Sequence, residues 1–225
     1  MNPIIKWLFQ ILFVWLVQAA ALLLGAWRLD CRWAWVYLIG YAAIVAFIAI
    51  VLLLRNKDLI ARRAEVKPTA ERWDRIVGGA YGILTLATLF VAGLDARFGW
   101  TPPIAIWRHI LGLVLWVPGF GFFTWAMTSN PFFSTVVTVQ PEAGHTVATT
   151  GPYRYMRHPG YAESTLTLAS TPIMLGTFWA FIPMLLAFIA LWIRTALEDR
   201  TLMAKLSGYA EYAAKTKYRL MPGIW

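Results

Sequence analysis

Long uninterrupted apolar runs constrain this chain more than any other feature. A helix needs roughly 20 apolar residues to cross the hydrocarbon core of a bilayer. Hydrophobic residues make up 60% of the 225 residues, against about 45–50% in soluble domains. The sequence therefore predicts an all-α integral membrane protein. Its first four predicted spans are residues 4–27, 33–54, 76–94 and 104–127.

The first run is longer than the roughly 7–15 residues of a signal-peptide core, so we expect a retained membrane anchor. The third run is rich in Gly and Ala, which allows close approach to a neighbouring helix. Pro118 and nearby glycines predict a kink in the fourth run.

The last apolar stretch, residues 162–193, is too long for a single membrane helix. As one helix it would extend roughly 48 Å. Pro172, Gly176 and Pro183 are possible break points, and a turn near Gly176 divides the stretch best. We therefore expect about six transmembrane helices, the last two forming a hairpin. A C-terminal helical tail follows, with Gly208 as a helix stop.

Basic residues predict the orientation in the membrane, because they are retained in the cytoplasm. Loops 28–32 and 95–103 carry only Arg28, Arg32 and Arg97. The 55–75 loop carries seven basic residues: Arg55, Lys57, Arg62, Arg63, Lys67, Arg72 and Arg75. This asymmetry predicts that both termini, the 55–75 loop and the polar stretch that begins at residue 128 are cytoplasmic. The net charge of +9 is then explained by topology and membrane lipid headgroups, and we expect no nucleic-acid partner.

The chain divides into an N-terminal four-span membrane region, residues 1–127, and a region at 128–225 that carries the polar motifs. These motifs are QPEAGH at 140–145, GPYRYMRHPGY at 151–161 and RTALED at 194–199. The second motif is irregular because each proline disfavours a helical residue before it. Irregular backbone at membrane depth is tolerated only where it is buried in protein or lines a wet cavity. A ligand-binding loop is one interpretation, and an interfacial loop that contacts headgroups is the alternative.

The third motif places two charged residues on one helical face. Arg194 and Glu198 are four residues apart and can pair. Ionisable side chains near the membrane are costly and usually functional, but a helix-end ion pair that reaches water is an equally open interpretation. Glu163, four residues after Pro159, is another candidate of this kind.

Several other chemistries find no support in the sequence. Cys31 is the only cysteine, which excludes an intrachain disulfide and a cysteine-rich metal site. His145 and His158 match no metal-ligand spacing, so we expect no metal. His109 is predicted to be interfacial, and NPFFS at 130–134 is predicted to form a turn.

These motifs, in this order and spacing, resemble the isoprenylcysteine carboxyl methyltransferase and phospholipid methyltransferase superfamily of integral membrane enzymes. The resemblance covers roughly residues 128–225 and is weak or absent over the first four spans. It rests on Gln140, His145 to Ala148, Gly151 to Tyr161, Arg194 with Glu198, Gly208 with Tyr212, and Pro222.

The resemblance implies a methyltransferase that binds S-adenosylmethionine in a cytoplasmic loop beneath the helical hairpin. Arg194 would be catalytic and would face the methyl-accepting substrate. The family usually has glycine where this chain has Glu163, so Glu163 would either bond the cofactor ammonium or mark a different substrate. The residues implied to contact the cofactor are Gln140, His145, Thr146, Val147, Ala148, Tyr153, His158, Pro159, Gly160, Tyr161 and Glu198.

The implied partners are membrane lipids and a lipophilic or small-molecule methyl acceptor. Because the sulfonium methyl is already activated, the protein's main task is alignment. A carboxylate or thiolate acceptor needs no base, whereas an amine must first be deprotonated. We find no convincing base in the sequence, which favours a carboxylate or a similarly ionised acceptor.

Two alternatives remain. Membrane reductases of the sterol type also carry RHP-x-Y and bind NADPH, although their motif typically reads RHPNY followed by Gly-Glu. A non-enzymatic membrane or transport protein on the same scaffold is the other.

Overall fold

The computed structural model describes residues 2–55, 57–64 and 70–225. Asn56 and residues 65–69, which include Lys67 of the predicted basic loop, lie outside the described residues. In the described parts every regular element is helical: α1 (Pro3–Ala26), α2 (Arg32–Arg55), α3 (Lys57–Ala64), α4 (Arg72–Phe98), α5 (Ile106–Thr128), α6 (Pro159–Leu175), α7 (Phe181–Lys205) and α8 (Tyr209–Lys215).

Five helices are long and apolar enough to cross a membrane, namely α1, α2, α4, α5 and α7. Their mean hydropathy over 18 residues lies between 1.7 and 2.7. Many of their large apolar side chains point outward, such as Phe13 at 67% exposed and Leu54 at 81%. Lipid, unlike water, solvates such a surface favourably. The chain is a multi-pass membrane protein.

The last apolar stretch breaks at the predicted glycine. Helix α6 ends at Leu175, and Gly176 adopts a left-handed conformation with φ of 77°. Pro172 lies inside α6 and Pro183 lies in the first turn of α7, so neither proline causes the break. Helix α6 has 17 residues and is not among the five long apolar helices. The count of six spans therefore stays a prediction.

Small residues allow two very close helix contacts. A Cβ on Gly93 of α4 would lie 2.3 Å from the Leu22 carbonyl oxygen of α1. A Cβ on Gly112 of α5 would lie 2.3 Å from the Met174 backbone nitrogen of α6. The close approach predicted for the third span is thus present at Gly93.

His109, predicted to be interfacial, is buried within the protein near the start of α5. Its Nδ1 lies 2.7 Å from the Met174 carbonyl oxygen, and its ring stacks on Trp33 at 4.4 Å. The turn at Gly176 packs directly against this imidazole. His109 therefore contributes to packing between α5 and the end of α6.

The polar segment between α5 and α6 folds against the C-terminal tail. The backbone amides of Arg157 and His158 donate to the carbonyls of Tyr218 and Arg219, both at 2.9 Å. At the other end of the segment, the amide of Glu71, just before α4, donates to the Val137 carbonyl at 3.1 Å. Residues distant in sequence therefore hold this irregular segment in place.

Candidate functional site

An open cavity, here called the loop cavity, lies between the segment 130–161 and helices α7 and α8. Its enclosed volume is about 110 Å³, so a nucleoside-sized ligand would also occupy its open mouth. One wall is formed by Leu202 of α7, Leu206 just after that helix, and Tyr209 and Tyr212 of α8. The opposite wall combines irregular backbone with aromatic and hydroxyl side chains, a composition typical of small-molecule sites.

Most of the side chains singled out in the sequence surround this cavity. Gln140 does not line it, Arg194 lines neither this cavity nor the larger one among the helices, and Glu163 lines the larger one. The predicted residues that do line it are His145, Thr146, Val147, Ala148, Tyr153, His158, Pro159, Gly160, Tyr161 and Glu198. Their contact with a cofactor stays a prediction.

The loop cavity contains a hydrogen-bonded carboxylate. The Tyr161 hydroxyl donates to the Glu198 carboxylate, joining the start of α6 to α7. The His158 ring stacks on Tyr161 with centroids 5.8 Å apart and fixes the phenol from the other side. Glu198 is thus held in a defined position, with acceptor capacity left for a ligand.

Asp199, which the sequence reasoning did not select, organises the wall behind this carboxylate. It accepts hydrogen bonds from Arg157 Nη2 at 3.1 Å, Tyr209 Oη at 2.9 Å and Arg219 Nε at 2.9 Å, and lies 3.2 Å from His158 Nε2. These groups belong to the loop, α8 and the tail. The sequence signal that could have identified Asp199 is its position next to Glu198, at the end of the RTALED motif.

The aromatic wall of the cavity is fixed by hydrogen bonds. Tyr212 donates to the Tyr153 carbonyl at 2.7 Å, and Asn130 Nδ2 donates to the Tyr153 hydroxyl at 3.2 Å. Burial raises the pKa of Tyr212 to about 12 and raises that of Tyr153 further. Both phenols are therefore neutral donors at physiological pH.

The predicted turn at 130–134 is present and supports this wall. Asn130 Oδ1 accepts from the Phe132 amide at 2.9 Å, and the Phe132 ring stacks on His145 at 4.4 Å. His145 Nδ1 in turn accepts from the Gln140 amide at 3.3 Å. The first predicted motif is thereby held beside the turn.

Arg194 does not pair with Glu198. Its Nε lies 2.6 Å from Asp74 Oδ1 on α4, and its Nη2 donates to the Thr135 carbonyl at 2.8 Å. The guanidinium carbon lies 5.4 Å from the centroid of the Tyr161 ring. Arg194 therefore touches the wall of the loop cavity from behind. Asp74 lies outside every motif, and no sequence signal pointed to it.

Glycine is required where α6 meets the loop. A Cβ on Gly160 would lie 2.8 Å from Phe133 Cζ, and both residues line the loop cavity. Phe133 also packs edge-to-face on Phe123, which lines the larger cavity among the helices. Phe133 is thus positioned between the two cavities.

Residues 107–209 match the family model described as phospholipid methyltransferase. This part of the chain, a little under half of its 225 residues, is similar to that family. The match confirms the resemblance drawn from the motifs, since the family belongs to the integral membrane methyltransferase superfamily that includes the isoprenylcysteine enzymes. A search of curated proteins found no match.

The phospholipid methyltransferase match begins earlier than the motifs suggested. It includes most of α5, the fourth predicted span, where the sequence showed no recognisable motif. The close contact between Gly112 and Met174 joins α5 to α6 within the matched region. The family match points to a methyltransferase and favours neither the reductase nor the non-enzymatic alternative.

Proposed function

We propose that the chain is an integral membrane methyltransferase that takes its methyl group from S-adenosylmethionine and transfers it to a lipophilic or small-molecule acceptor. The observation that supports this proposal is the loop cavity, whose lining residues other than Tyr212 lie in the family-matched region, with the Tyr161–Glu198 pair on its wall.

The residues around this cavity fit S-adenosylmethionine. Glu198 offers a carboxylate for a ribose hydroxyl or for the amino group of the methionyl part. Tyr153, Val147 and Leu206 offer aromatic and apolar surface for an adenine ring. Gln140 Nε2 is also buried without a hydrogen-bond partner among the described residues, but Gln140 does not line this cavity.

When bound, S-adenosylmethionine supplies a methyl group already activated on sulfonium. The task of the chain is then to bind, align and keep water away. Tyr161 holds Glu198 in place, and Asp199 fixes the loop against α7 and α8. The neutral phenols of Tyr153 and Tyr212 place no phenolate nucleophile beside the activated methyl group.

Arg194 has a proposed role in both alignment and acceptor recognition. Its contact with the Tyr161 ring places a positive charge behind the cavity wall. If an anionic acceptor displaced the Asp74 carboxylate, the same guanidinium would bind the acceptor's carboxylate bidentately. A carboxylate acceptor, which needs no base, is therefore retained as the first candidate to test.

We further propose that α6 and α7 form a membrane hairpin, for six spans in total, and that the loop cavity and both termini face the cytoplasm. The basic residues around α3 support this orientation by the positive-inside rule. A lipophilic acceptor would then enter from the bilayer while S-adenosylmethionine enters from water.

Transfer of a labelled methyl group tests this proposal. Purified protein is incubated with methyl-labelled S-adenosylmethionine and a total lipid extract, and label in the organic phase is measured. We expect transfer by the wild type and at least roughly tenfold less by Glu198→Gln, since a charge-assisted hydrogen bond is lost. Glu211→Gln, an exposed change outside the cavity, is the matched control.

The chemistry of the labelled product identifies the acceptor. Mild alkali releases methanol from a methyl ester but leaves N-methyl groups intact. Volatile label after alkali would support the carboxylate acceptor, and retained label would replace it with an amine. No transfer to the lipid extract or to a panel of small acids, amines and thiols, by protein that binds S-adenosylmethionine, would contradict the proposed activity.

A further inference from the structure

A group of exposed aromatic side chains, here called the aromatic rim, lies at the end of the helix bundle opposite the loop cavity. Helix α4 begins beside that cavity, where Asp74 accepts from the Val137 amide, and has 27 residues. At about 1.5 Å per residue, its other end is roughly 40 Å away. The rim is built from the ends of α1 and α4, the loop after α4 and the turn before α7, and consists of Trp27, Arg97, Phe98, Trp100 and Trp179.

The rings of the rim contact one another in series. Phe98 stacks on Trp100 with centroids 5.5 Å apart, and Trp100 meets Trp179 edge-to-face at 6.1 Å. All three side chains are exposed. Exposed tryptophans at the ends of membrane helices lie at the level of the lipid headgroups, because the ring is apolar and its N–H is polar. The rim is therefore at the depth where membrane lipids carry their phosphate groups.

Arg97 supplies the charge of this surface. Its guanidinium carbon lies 5.0 Å from the centroid of the Phe98 ring and 5.6 Å from that of Trp27, so two rings hold it in place. Among the side chains that the structure describes, no carboxylate lies within ion-pair distance of Arg97, whereas the nearby Arg28 is paired with Asp30. The planar set of N–H donors on Arg97 is therefore not occupied by an acidic residue of the described chain.

Trp27 is held in a strained conformation beside this guanidinium. Its φ is 51°, and among the described residues it is the only residue other than glycine with a positive φ. It ends α1 at a position where glycine is the usual residue. Its side chain is 71% exposed, so burial does not explain the conformation. Backbone strain of this kind is typical of ligand clamps, and here it accompanies the contact between the indole and Arg97.

Buried contacts beneath the rim fix its parts relative to one another. Asp95 accepts from the Thr101 amide at 2.7 Å and from the Thr177 hydroxyl, which joins the end of α4 to the turn before α7. Helices α1 and α4 pack closely, since a Cβ on Gly25 would lie 2.4 Å from the Phe90 carbonyl oxygen. The rim is thus pre-formed, and a ligand that binds there incurs little cost for ordering it.

We propose that the aromatic rim binds the phosphate group of a membrane phospholipid, with Arg97 as the residue that contacts the phosphate oxygens. A guanidinium binds two phosphate oxygens in a planar, bidentate arrangement. Trp27 and Phe98 fix its position, and Trp100 and Trp179 offer apolar surface to the glycerol and the first methylene groups of the lipid. This site is remote from the loop cavity, and its assignment does not rest on methyl transfer.

Lipid binding by the purified full-length protein in a nonionic detergent tests this site. Phosphatidylglycerol is compared with a neutral glucosyl diacylglycerol of the same chains, and native mass spectrometry gives the concentration at which half of the protein carries one lipid. We expect the wild type to bind the phospholipid roughly tenfold or more tightly, since the phosphate adds a charge-assisted bidentate contact.

Arg97→Gln removes the charge at the centre of the rim, and we expect this variant to lose the preference for the phospholipid. Arg108→Gln is the matched control. Arg108 is also exposed, lies over the ring of its neighbour Trp107 at 5.4 Å and follows the same loop, so both variants have the same net charge. An equal preference for phosphatidylglycerol in Arg97→Gln and wild type would overturn the proposal.

Trp27→Gly separates lipid binding from folding. Glycine adopts the left-handed conformation without strain, so this variant should melt no lower than the wild type in the absence of lipid, yet bind phosphatidylglycerol at least roughly threefold more weakly because its guanidinium is less well held. Glycerol phosphate that bound as tightly as the lipid would overturn the assignment to a lipid headgroup. A wild-type dimer that Arg97→Gln dissociates would overturn it in favour of a second copy of the chain.

Discussion

Asp74 of α4 and Arg194 of α7 form a buried ion pair, although the two residues are 120 positions apart in the chain. Arg194 Nε lies 2.6 Å and Nη2 3.2 Å from the two carboxylate oxygens. Asp74 Oδ2 also accepts from the Val137 amide at 2.8 Å. The pair thereby connects α4, α7 and the segment that forms the loop cavity.

Removal of one partner of this pair should destabilise the protein strongly. Breaking a buried pair costs about 3–5 kcal/mol because the remaining charge is uncompensated. Asp74→Ala should therefore lower the melting temperature markedly, and the Asp74→Ala, Arg194→Ala double variant should lose less than the sum of the two single changes. Thermal unfolding in detergent measures both.

The exposed Glu71–Lys205 pair provides the control for that comparison. It joins the residue just before α4 to the last residue of α7 at 2.6 Å, but Lys205 is 55% exposed. Surface pairs contribute about 0–1 kcal/mol, so Glu71→Gln should have little effect. A decrease in melting temperature for Glu71→Gln as large as that for Asp74→Ala would contradict the claim that burial makes the Asp74–Arg194 pair important for stability.

Gly160→Ala should reduce binding in the loop cavity without unfolding the protein. The new methyl group would meet Phe133 at 2.8 Å and push its ring. In an open helical position the same change should be mildly stabilising, by up to about 1 kcal/mol. Gly82→Ala, where nothing lies within 4 Å of the new Cβ, is the matched control. Calorimetry with S-adenosylmethionine measures the difference.

A second substitution separates a local clash from a general defect. Phe133→Leu in the Gly160→Ala background should relieve the contact and restore part of the affinity. Failure of the double variant to recover any binding, with the fold intact, would show that the contact with Phe133 is not the cause.

Much of the fold was predictable because the length of an uninterrupted apolar run directly indicates a membrane helix. Gly176 identified the break in the last stretch, since a glycine can adopt the left-handed conformation that ends α6. The length of α6 was not predictable in this way, because apolar residues continue through the turn into α7. The predicted boundaries of α4 were also too narrow, since charged residues near its ends, such as Arg72 and Arg97, interrupt the apolar run.

The candidate site was predictable only where residues lie in one motif. The spacing from Gly151 to Tyr161 brought the loop residues together, and Glu198 follows from the family pattern. Asp74 and Asp199 were missed because their partners are distant in sequence. The position of Arg194 was misleading for a related reason. Arg194 and its i,i+4 neighbour Glu198 lie on the same helix but do not pair. Asp74 of α4 binds Arg194, and Tyr161 of α6 binds Glu198.

Alkaline pH should weaken the contact between Tyr212 and the loop. The pKa of Tyr212 is raised from 10.0 to about 12 in the folded protein, so the folded state holds the proton more tightly than the unfolded state. Its contribution is therefore fully present below pH 10 and is lost as the pH rises from 10 to 12. Tyr212→Phe should remove this part of the decline in stability with pH.

The measurement for Tyr212 is unfolding as a function of pH, compared between the variant and the wild type. Below pH 10 the variant should be less stable by about 1 kcal/mol, the usual value of a neutral hydrogen bond. Parallel stability curves for the two proteins between pH 10 and 12 would contradict the assignment.

Calorimetric titration of purified protein with S-adenosylmethionine, with NADPH as the competing ligand, tests the proposed function most directly. We predict saturable binding of S-adenosylmethionine that is lost in Glu198→Ala and Tyr161→Ala and kept in Glu211→Gln, with no binding of NADPH. Binding of NADPH alone would contradict the methyltransferase proposal in favour of a reductase. Binding of neither ligand by folded protein would contradict the assignment of the loop cavity to either cofactor.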